Sequence, residues 1–363
     1  MDLATAKHLG RKVISRSMRE TLYFQTGYNL TKPTDIRATL TERCNYRCAY
    51  CNHWRQDFYT DEMTLPEWQS ALISIREFVG RYAVQFLGGE PMLVPWFPQL
   101  VTFCGQQGID WGVITNGSTL TAKMVTAIVA ANPLNIDVSL DSIVVAENDV
   151  TRGVRGATRR VSDGILRLVA ERERAGRHFT IRIKPTVSQM TIGSLSRVVD
   201  WAETMPSVLV DFSPVRLASQ ADRLAMYPHR SEDIETLRSE IELLVSRKND
   251  GAPIETSVAK LRAIIPHFLG HTSRHGVDRC RVGLRSIDIR PNGDVNHCFK
   301  FSRVGNLRDS PIEEIWASAS RHEVVKETVS CNLIGTVCSM SCFGHRTLAQ
   351  EVKRGIRLIK SGR

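Results

Sequence analysis

Residues 40 to 54 read LTERCNYRCAYCNHW. Cys44, Cys48 and Cys51 fall within this one stretch, although the whole chain has only nine cysteines. The segment just before them, DIRATL (35–40), has the apolar and β-branched character of a strand that ends in Thr and Leu. The three thiols therefore stand at the carboxyl end of a strand. Thiolates at this spacing can wrap a loop around one metal centre. Structural zinc usually takes four protein ligands, so either a coordination position stays open or His53 completes a small zinc site.

The bulk properties set bounds on this reading. At 363 residues the chain can bury a large core and form one large domain or two. Its 42% apolar and 24% charged residues are ordinary for a globular protein. No apolar run approaches the ~18 residues needed to span a bilayer. The N-terminal MDLATAKHLGRKVIS lacks an uninterrupted apolar segment, so a cytoplasmic location is expected. Thiols are kept reduced there, and clustered cysteines read as metal ligands before disulfides. The net charge of +10 weakly favours an anionic substrate or partner. Much of the excess lies at Lys7, Arg11, Lys12, Arg16 and Arg19 and at Lys353, Arg354, Arg357, Lys360 and Arg363, which read as two solvated helix faces. No aromatic residues interleave these runs, which argues against a nucleic-acid stacking platform. A membrane partner is not expected either.

From residue 35 to 214, strand-like runs alternate with helical patterns. The strands are DIRATL, YAVQFL, WGVIT, NIDVSL, FTIRIKPTV and SVLVDFSP. The clearest helix starts at Thr64-Leu65-Pro66-Glu67, a capping-box spacing, and places Trp68, Leu72, Ile75 and Val79 on one face. Six β-α units predict an α/β fold with a parallel sheet, a partial (β/α)6 TIM-like barrel. Ligands of such sheets bind at the carboxyl ends of the strands. After residue 214 the alternation stops. Residues 231–247 form an amphipathic helix, and RSIDIRPNGDVNHC (285–298) reads as a hairpin around Pro-Asn-Gly-Asp. The expected organisation is an N-terminal helical extension (1–34) and the barrel (35–230). A helical linker with a small cysteine-rich α+β domain (231–345) and a C-terminal basic helix (346–363) follow.

Cys44, Cys48 and Cys51, with Tyr50 before the last, resemble the signature of the radical S-adenosylmethionine (radical SAM) superfamily. The resemblance implies a [4Fe–4S] cluster on the three thiolates, with a fourth iron free to chelate S-adenosylmethionine. It also implies reductive cleavage of that cofactor to a 5′-deoxyadenosyl radical. The resemblance continues in LGGEP (87–91), where Gly88 and Gly89 allow close backbone approach and Glu90 would accept from the methionine ammonium. It continues in ITNGS, with Thr115 and Asn116, and in VSLDS, where Ser139 and Asp141 would contact the ribose or methionyl end. Arg152, in an Arg-Gly segment, is a candidate carboxylate contact. Lys184 and Arg216 end the fifth and sixth strands and point to the same mouth. Taken singly, each has a plainer reading: a turn, a helix N-cap, a surface charge. Their order, at successive strand ends, is what the plainer readings leave unexplained.

A second cysteine group, Cys280, Cys298, Cys331, Cys338 and Cys342, together with GNLRDSPIEEIW, resembles the auxiliary-cluster extensions (SPASM or twitch) of the same superfamily. Thr328 stands where the first cysteine of a further pair would fall. The resemblance therefore implies one auxiliary [4Fe–4S] cluster, on Cys280, Cys298, Cys338 and Cys342. Cys331 is a spare thiol, a replacement ligand or a hydrogen-atom donor. A structural zinc site on the same cysteines is the alternative. Cys104, in a helix outside the barrel, reads as core packing.

The resemblance gives hydrogen-atom abstraction and leaves the substrate open. About 35 residues precede the first strand, too few for a peptide-recognition domain. The first expectation is an oxidoreductase acting on a small-molecule substrate, a sugar, aminocyclitol or nucleoside-like metabolite, with an electron donor such as flavodoxin or ferredoxin. Modification of a ribosomally made peptide is the alternative. A zinc-bound nucleic-acid or scaffold protein is the alternative from another class.

Overall fold

The computed structural model describes residues 3–55, 61–217, 220–270, 280–298 and 300–331. Cys338, Cys342 and the segment 346–363 lie outside the described residues.

Helix α1 (Leu3–Thr26) leads to strand β1 (Asp35–Thr39). Strands and helices then alternate: α2 (Leu65–Val79), β2 (Ala83–Leu87), α3 (Phe97–Gln106), β3 (Asp110–Thr115), α4 (Ala122–Ala130) and β4 (Asn135–Val138). Next come α5 (Val145–Arg152), α6 (Ala157–Arg174), β5 (Thr180–Ile183), β6 (Thr186–Val187), α7 (Leu195–Glu203), β7 (Val208–Val210) and β8 (Ser213–Pro214). Strands β1, β2, β3, β4, β5 and β7 pair in parallel in that order, as the alternation predicts. Two of the predicted strands are each split in two. FTIRIKPTV breaks at Lys184-Pro185 and SVLVDFSP at Asp211-Phe212, and the outer halves β6 and β8 form their own parallel pair. Pro185 has no N–H to give the ladder, which accounts for the first break.

The two faces of the sheet differ in chemistry because strand side chains alternate. Ile36, Phe86, Val113, Ile136 and Ile181 are buried on the face covered by helices. There Phe86 meets Phe97 of α3 edge-on at 6.1 Å. The opposite face is polar. Asn135 donates to Asp137 at 2.9 Å, Arg182 donates to Asp137 at 3.1 Å, and Lys184 pairs with Asp211 at 2.6 Å. Cys104 is fully buried in α3, and burial pushes its thiol up to about 12. That fits packing.

The helices after the barrel depart from the expected division. α8 (Gln220–Met226) is followed by α9 (Ser231–Asn249) and α10 (Val258–Phe268). α9 buries Leu237, Ile241 and Leu244 against the barrel, and Ile254 bridges to Val210 beside the last strand. Residues 231–268 are thus part of the barrel's wall rather than a linker. The physical reason is the apolar stripe of α9, which needs a core to cover it.

The C-terminal unit contains α11 (Val282–Arg285), β9 (Ser286–Ile289), β10 (Asp294–Asn296), β11 (Gly305–Asn306), α12 (Ile312–Ala317) and α13 (Ala319–Val329). β9 and β10 form the predicted antiparallel hairpin. β9 also pairs in parallel with β1, Asp35 opposite Ser286, so this unit extends the barrel sheet to nine strands. Helix α1 is anchored to it as well. Glu20 is fully buried and pairs with Arg281 and Arg285, so the carboxyl half of α1 is not a wholly solvated extension.

Candidate active site at the strand ends

The loop after β1 carries Cys44, Cys48 and Cys51 and is gripped from two sides. On one side lies LGGEP. Gly89 N–H donates to Thr41 O at 2.9 Å and Glu90 N–H to Arg43 O at 2.8 Å. A Cβ on Gly88 would stand 2.3 Å from Thr41 O, and one on Gly89 2.3 Å from Arg43 O. Only glycine lets the two backbones lie this close. On the other side is the end of α5. Ala49 N–H donates to Thr151 O at 2.9 Å. Gly153 has φ +66°, and a Cβ there would stand 2.2 Å from Arg47 O. The Arg-Gly pair thus has two jobs, and the sequence reading saw only the arginine.

Two buried carboxylates brace the same loop. Glu90 is fully buried and accepts from Thr115 Oγ1 at 2.8 Å, Asn116 N–H at 2.6 Å and Met92 N–H at 3.2 Å. Burial pushes its carboxyl up to about 7 against these donors. Asp141, also fully buried, accepts from Tyr50 Oη at 2.7 Å, Arg152 Nη2 at 2.6 Å and Thr186 N–H at 2.8 Å. Burial works against the charge on Arg152, but Asp141, Tyr50 and Cys48 together more than offset it, and the guanidinium pKa is raised. In the structure, Glu90, Asp141 and Arg152 therefore hold protein partners. Ser139 is half-buried beside them, with its N–H on Thr115 O at 2.9 Å.

The sulfurs face donors. Cys44 Sγ accepts from Tyr46 N–H at 3.4 Å and from the Asn116 amide at 3.7 Å, and Arg152 Nη1 stands 4.0 Å from Cys48 Sγ. Cys51 is close enough to both other thiols to raise their pKa, though burial is the larger cause. Cys48 is pushed up to about 11. Among the described residues, no three His, Cys, Asp or Glu side chains gather into a cage for a single ion. His53 Nδ1 is bonded to the buried Glu42 carboxylate, which also faces Arg290 at 3.5 Å. The Glu42 bond uses only Nδ1 of His53, and among the described residues its Nε2 belongs to no group of three side chains that could hold a metal ion. Three thiols spread around a loop, with N–H groups aimed at the sulfurs, fit a cluster whose ligands bind different irons. The Glu42–His53–Arg290 set was not foreseen. Its only signal is the acid beside the cysteine loop.

At the second cysteine group, Cys280 is buried and Cys298 half-buried, one on each side of the β9–β10 hairpin. The two cysteines, 18 positions apart in sequence, thus flank the hairpin. Cys331 is half-buried just past α13. Thr328 is buried in α13, its hydroxyl 2.6 Å from where a Cβ on Gly283 would lie.

A family model described as the radical SAM superfamily matches residues 39–188, and one described as an iron–sulfur cluster-binding domain matches 280–342. The Fe-coproporphyrin III synthase of Methanosarcina barkeri is 21% identical over 301 residues, 77% of this chain and 73% of that protein. The PqqA peptide cyclase of Xanthomonas euvesicatoria pv. vesicatoria is 25% identical over 299 residues, 78% and 74%. In fold, the chain is similar to Streptococcus suis SuiB bound to S-adenosylmethionine, with a TM-score of 0.65 at 16% identity, covering 90% of this chain and 76% of that one. SuiB bound to precursor peptide SuiA gives 0.64 at 14% identity, covering 90% and 75%. The cofactors of these domains are a [4Fe–4S] cluster, S-adenosylmethionine and an auxiliary iron–sulfur cluster. The first match begins at the end of β1 and stops just past β6, the second begins at Cys280, and the chain belongs to the radical SAM superfamily, with a C-terminal iron–sulfur cluster-binding domain.

Proposed function

We propose that this radical SAM enzyme is an oxidoreductase that modifies a peptide. The observation that carries the reading is the PqqA peptide cyclase, which aligns through 78% of this chain at 25% identity. The fold shared with SuiB, solved with a precursor peptide, supports it. The sugar or aminocyclitol substrate expected from the sequence has no comparable support among these relatives, and the peptide reading takes its place.

When bound, the cofactors supply a one-electron cleavage of S-adenosylmethionine and a carbon-centred radical. The chain's own residues position and shield that chemistry. Cys44, Cys48 and Cys51 would hold the first cluster. The loop carrying them is fixed by Gly88, Gly89 and Gly153 and braced by Glu90 and Asp141. Ser139, Asn116 and Thr115 stand at the strand ends where the cofactor would lie. Lys184 and Asp211 form a half-exposed charged pair on the inner wall, suited to a polar part of the substrate. Cys280 and Cys298, with Cys338 and Cys342, would hold one auxiliary cluster. A flavodoxin- or ferredoxin-like donor would supply the electrons. Among the described residues no helix is long and apolar enough to cross a membrane.

The test is anaerobic reconstitution of the full chain, followed by incubation with short peptides encoded beside its gene. The expected result is peptide-dependent 5′-deoxyadenosine formation and a mass change on the peptide. Cofactor cleavage that responds to small polar metabolites and to none of those peptides would refute the reading. Fe-coproporphyrin III synthase among the relatives supports a second reading, an anionic small molecule. The same assay separates the two.

A further inference from the structure

The wall that carries Cys280 and Cys298 contains three buried arginines: Arg281, Arg285 and Arg321. Arg281 and Arg285 share the Glu20 carboxylate. Arg321 is different. It is 0% exposed and makes no ion pair with a carboxylate among the described residues. Its Nη1 donates to Trp316 O at 3.1 Å and its Nη2 to Gly283 O at 2.8 Å, while its Nε has no acceptor among the described residues. The guanidinium stacks 3.6 Å from the centre of the Trp316 ring.

These contacts link the charge directly to the segment after Cys280 and, through the Trp316 ring, to the residue before Cys298. Gly283 lies on the segment that Cys280 opens. The Trp316 ring also meets the buried His297 edge-on at 5.5 Å, and His297 directly precedes Cys298. Burial pushes Arg321 down to about 9, which leaves it charged at neutral pH. A buried cation held by carbonyl dipoles and an aromatic face is costly unless an anion lies near it. An iron–sulfur centre with thiolate ligands is such an anion, and each electron it accepts adds another negative charge.

We propose that Arg321 is the buried counter-charge of the auxiliary cluster, a positioning residue that favours the cluster's reduced form. The inference does not depend on what the substrate is. A fixed cation stabilises the more negative state, so removing it lowers the reduction potential.

The test uses the full chain reconstituted with iron and sulfide, titrated with dithionite and followed by electron paramagnetic resonance. Arg321→Gln removes the charge and keeps an amide donor, and Arg321→Lys keeps the charge. In Arg321→Gln the auxiliary cluster should become at least about tenfold harder to reduce, ~59 mV for one electron. In Arg321→Lys the potential should stay near that of the unaltered protein, and the first cluster should be unmoved in both variants. An unchanged auxiliary potential in Arg321→Gln with full iron content overturns the proposal. So does an equal shift in Arg321→Lys, because shape rather than charge would then be responsible. If Arg321→Gln loses the auxiliary cluster, retention in Arg321→Lys supports the charge, and loss there too overturns it.

Discussion

Tyr50 donates its phenol hydrogen to Asp141 across 2.7 Å, although the two residues are 91 positions apart. Through this bond the last turn of the cysteine loop is tied to the end of β4. Arg152 and the Thr186 N–H converge on the same carboxylate. One fully buried acid therefore joins the cysteine loop, α5 and β6.

Two substitutions separate the parts of this junction. Asp141→Asn leaves the buried Arg152 facing a neutral amide, at a cost of ~3–5 kcal/mol. Tyr50→Phe removes one donor while Asp141 keeps two others, at a cost of ~1 kcal/mol. Urea unfolding of the reconstituted protein should rank them in that order. Equal losses would mean that the acid is not the centre of the junction.

The two glycines of LGGEP make a sharper prediction. Gly89→Ala would drive a methyl group into the backbone of Glu42 and Arg43. The loop has to move, and the cluster it carries should be lost. Gly193→Ala is the control, because the nearest atom to its Cβ would be Thr236 Cγ2 at an ordinary 3.9 Å. Iron counting should show the first cluster missing in Gly89→Ala and full iron in Gly193→Ala. Full occupancy in both would show that the loop tolerates the shift.

All six parallel strands were legible in the sequence because each is a local run of apolar and β-branched residues. So were the capping of α2 by Thr64 and Glu67 and the turn at Gly293. Long-range pairing was not legible. No local pattern says that Ser286 lies beside Asp35, which is why the C-terminal unit read as separate and α9 as a linker. The site residues were found by motif, and their partners were not. The motif marks Arg152 as a contact for a ligand's carboxylate, and the carboxylate it meets in the structure is the chain's own Asp141. Glu42 and Arg290 are not legible in the sequence because a lone acid and a lone base carry no spacing signal.

Asp288 supplies a pH prediction. Burial pushes its carboxyl up to about 6 from the ordinary 3.8, even with Arg37 opposing that shift. The folded protein therefore holds this proton more tightly than the unfolded chain does. Its contribution to stability is complete below about pH 4 and is lost as pH rises through 6. Asp288→Asn removes this dependence. Between pH 4 and 6 the unaltered protein should lose stability relative to the variant by ~1.4 kcal/mol per pH unit at most. Parallel stability curves for the two proteins over that range would show that Asp288 titrates normally.

Cys51 and Cys298 separate the two cluster sites. Cys51→Ala removes one of the three thiols of the first loop. Formation of 5′-deoxyadenosine should fall to background. Cys298→Ala leaves the cysteine loop, its glycines and the Asp141 junction untouched. Cofactor cleavage should then persist in part, uncoupled from change in the substrate. Liquid chromatography of both products, with iron counts alongside, checks this. Equal loss of cleavage in the two variants would mean that the auxiliary site supports the barrel itself, which the β9–β1 pairing makes physically reasonable.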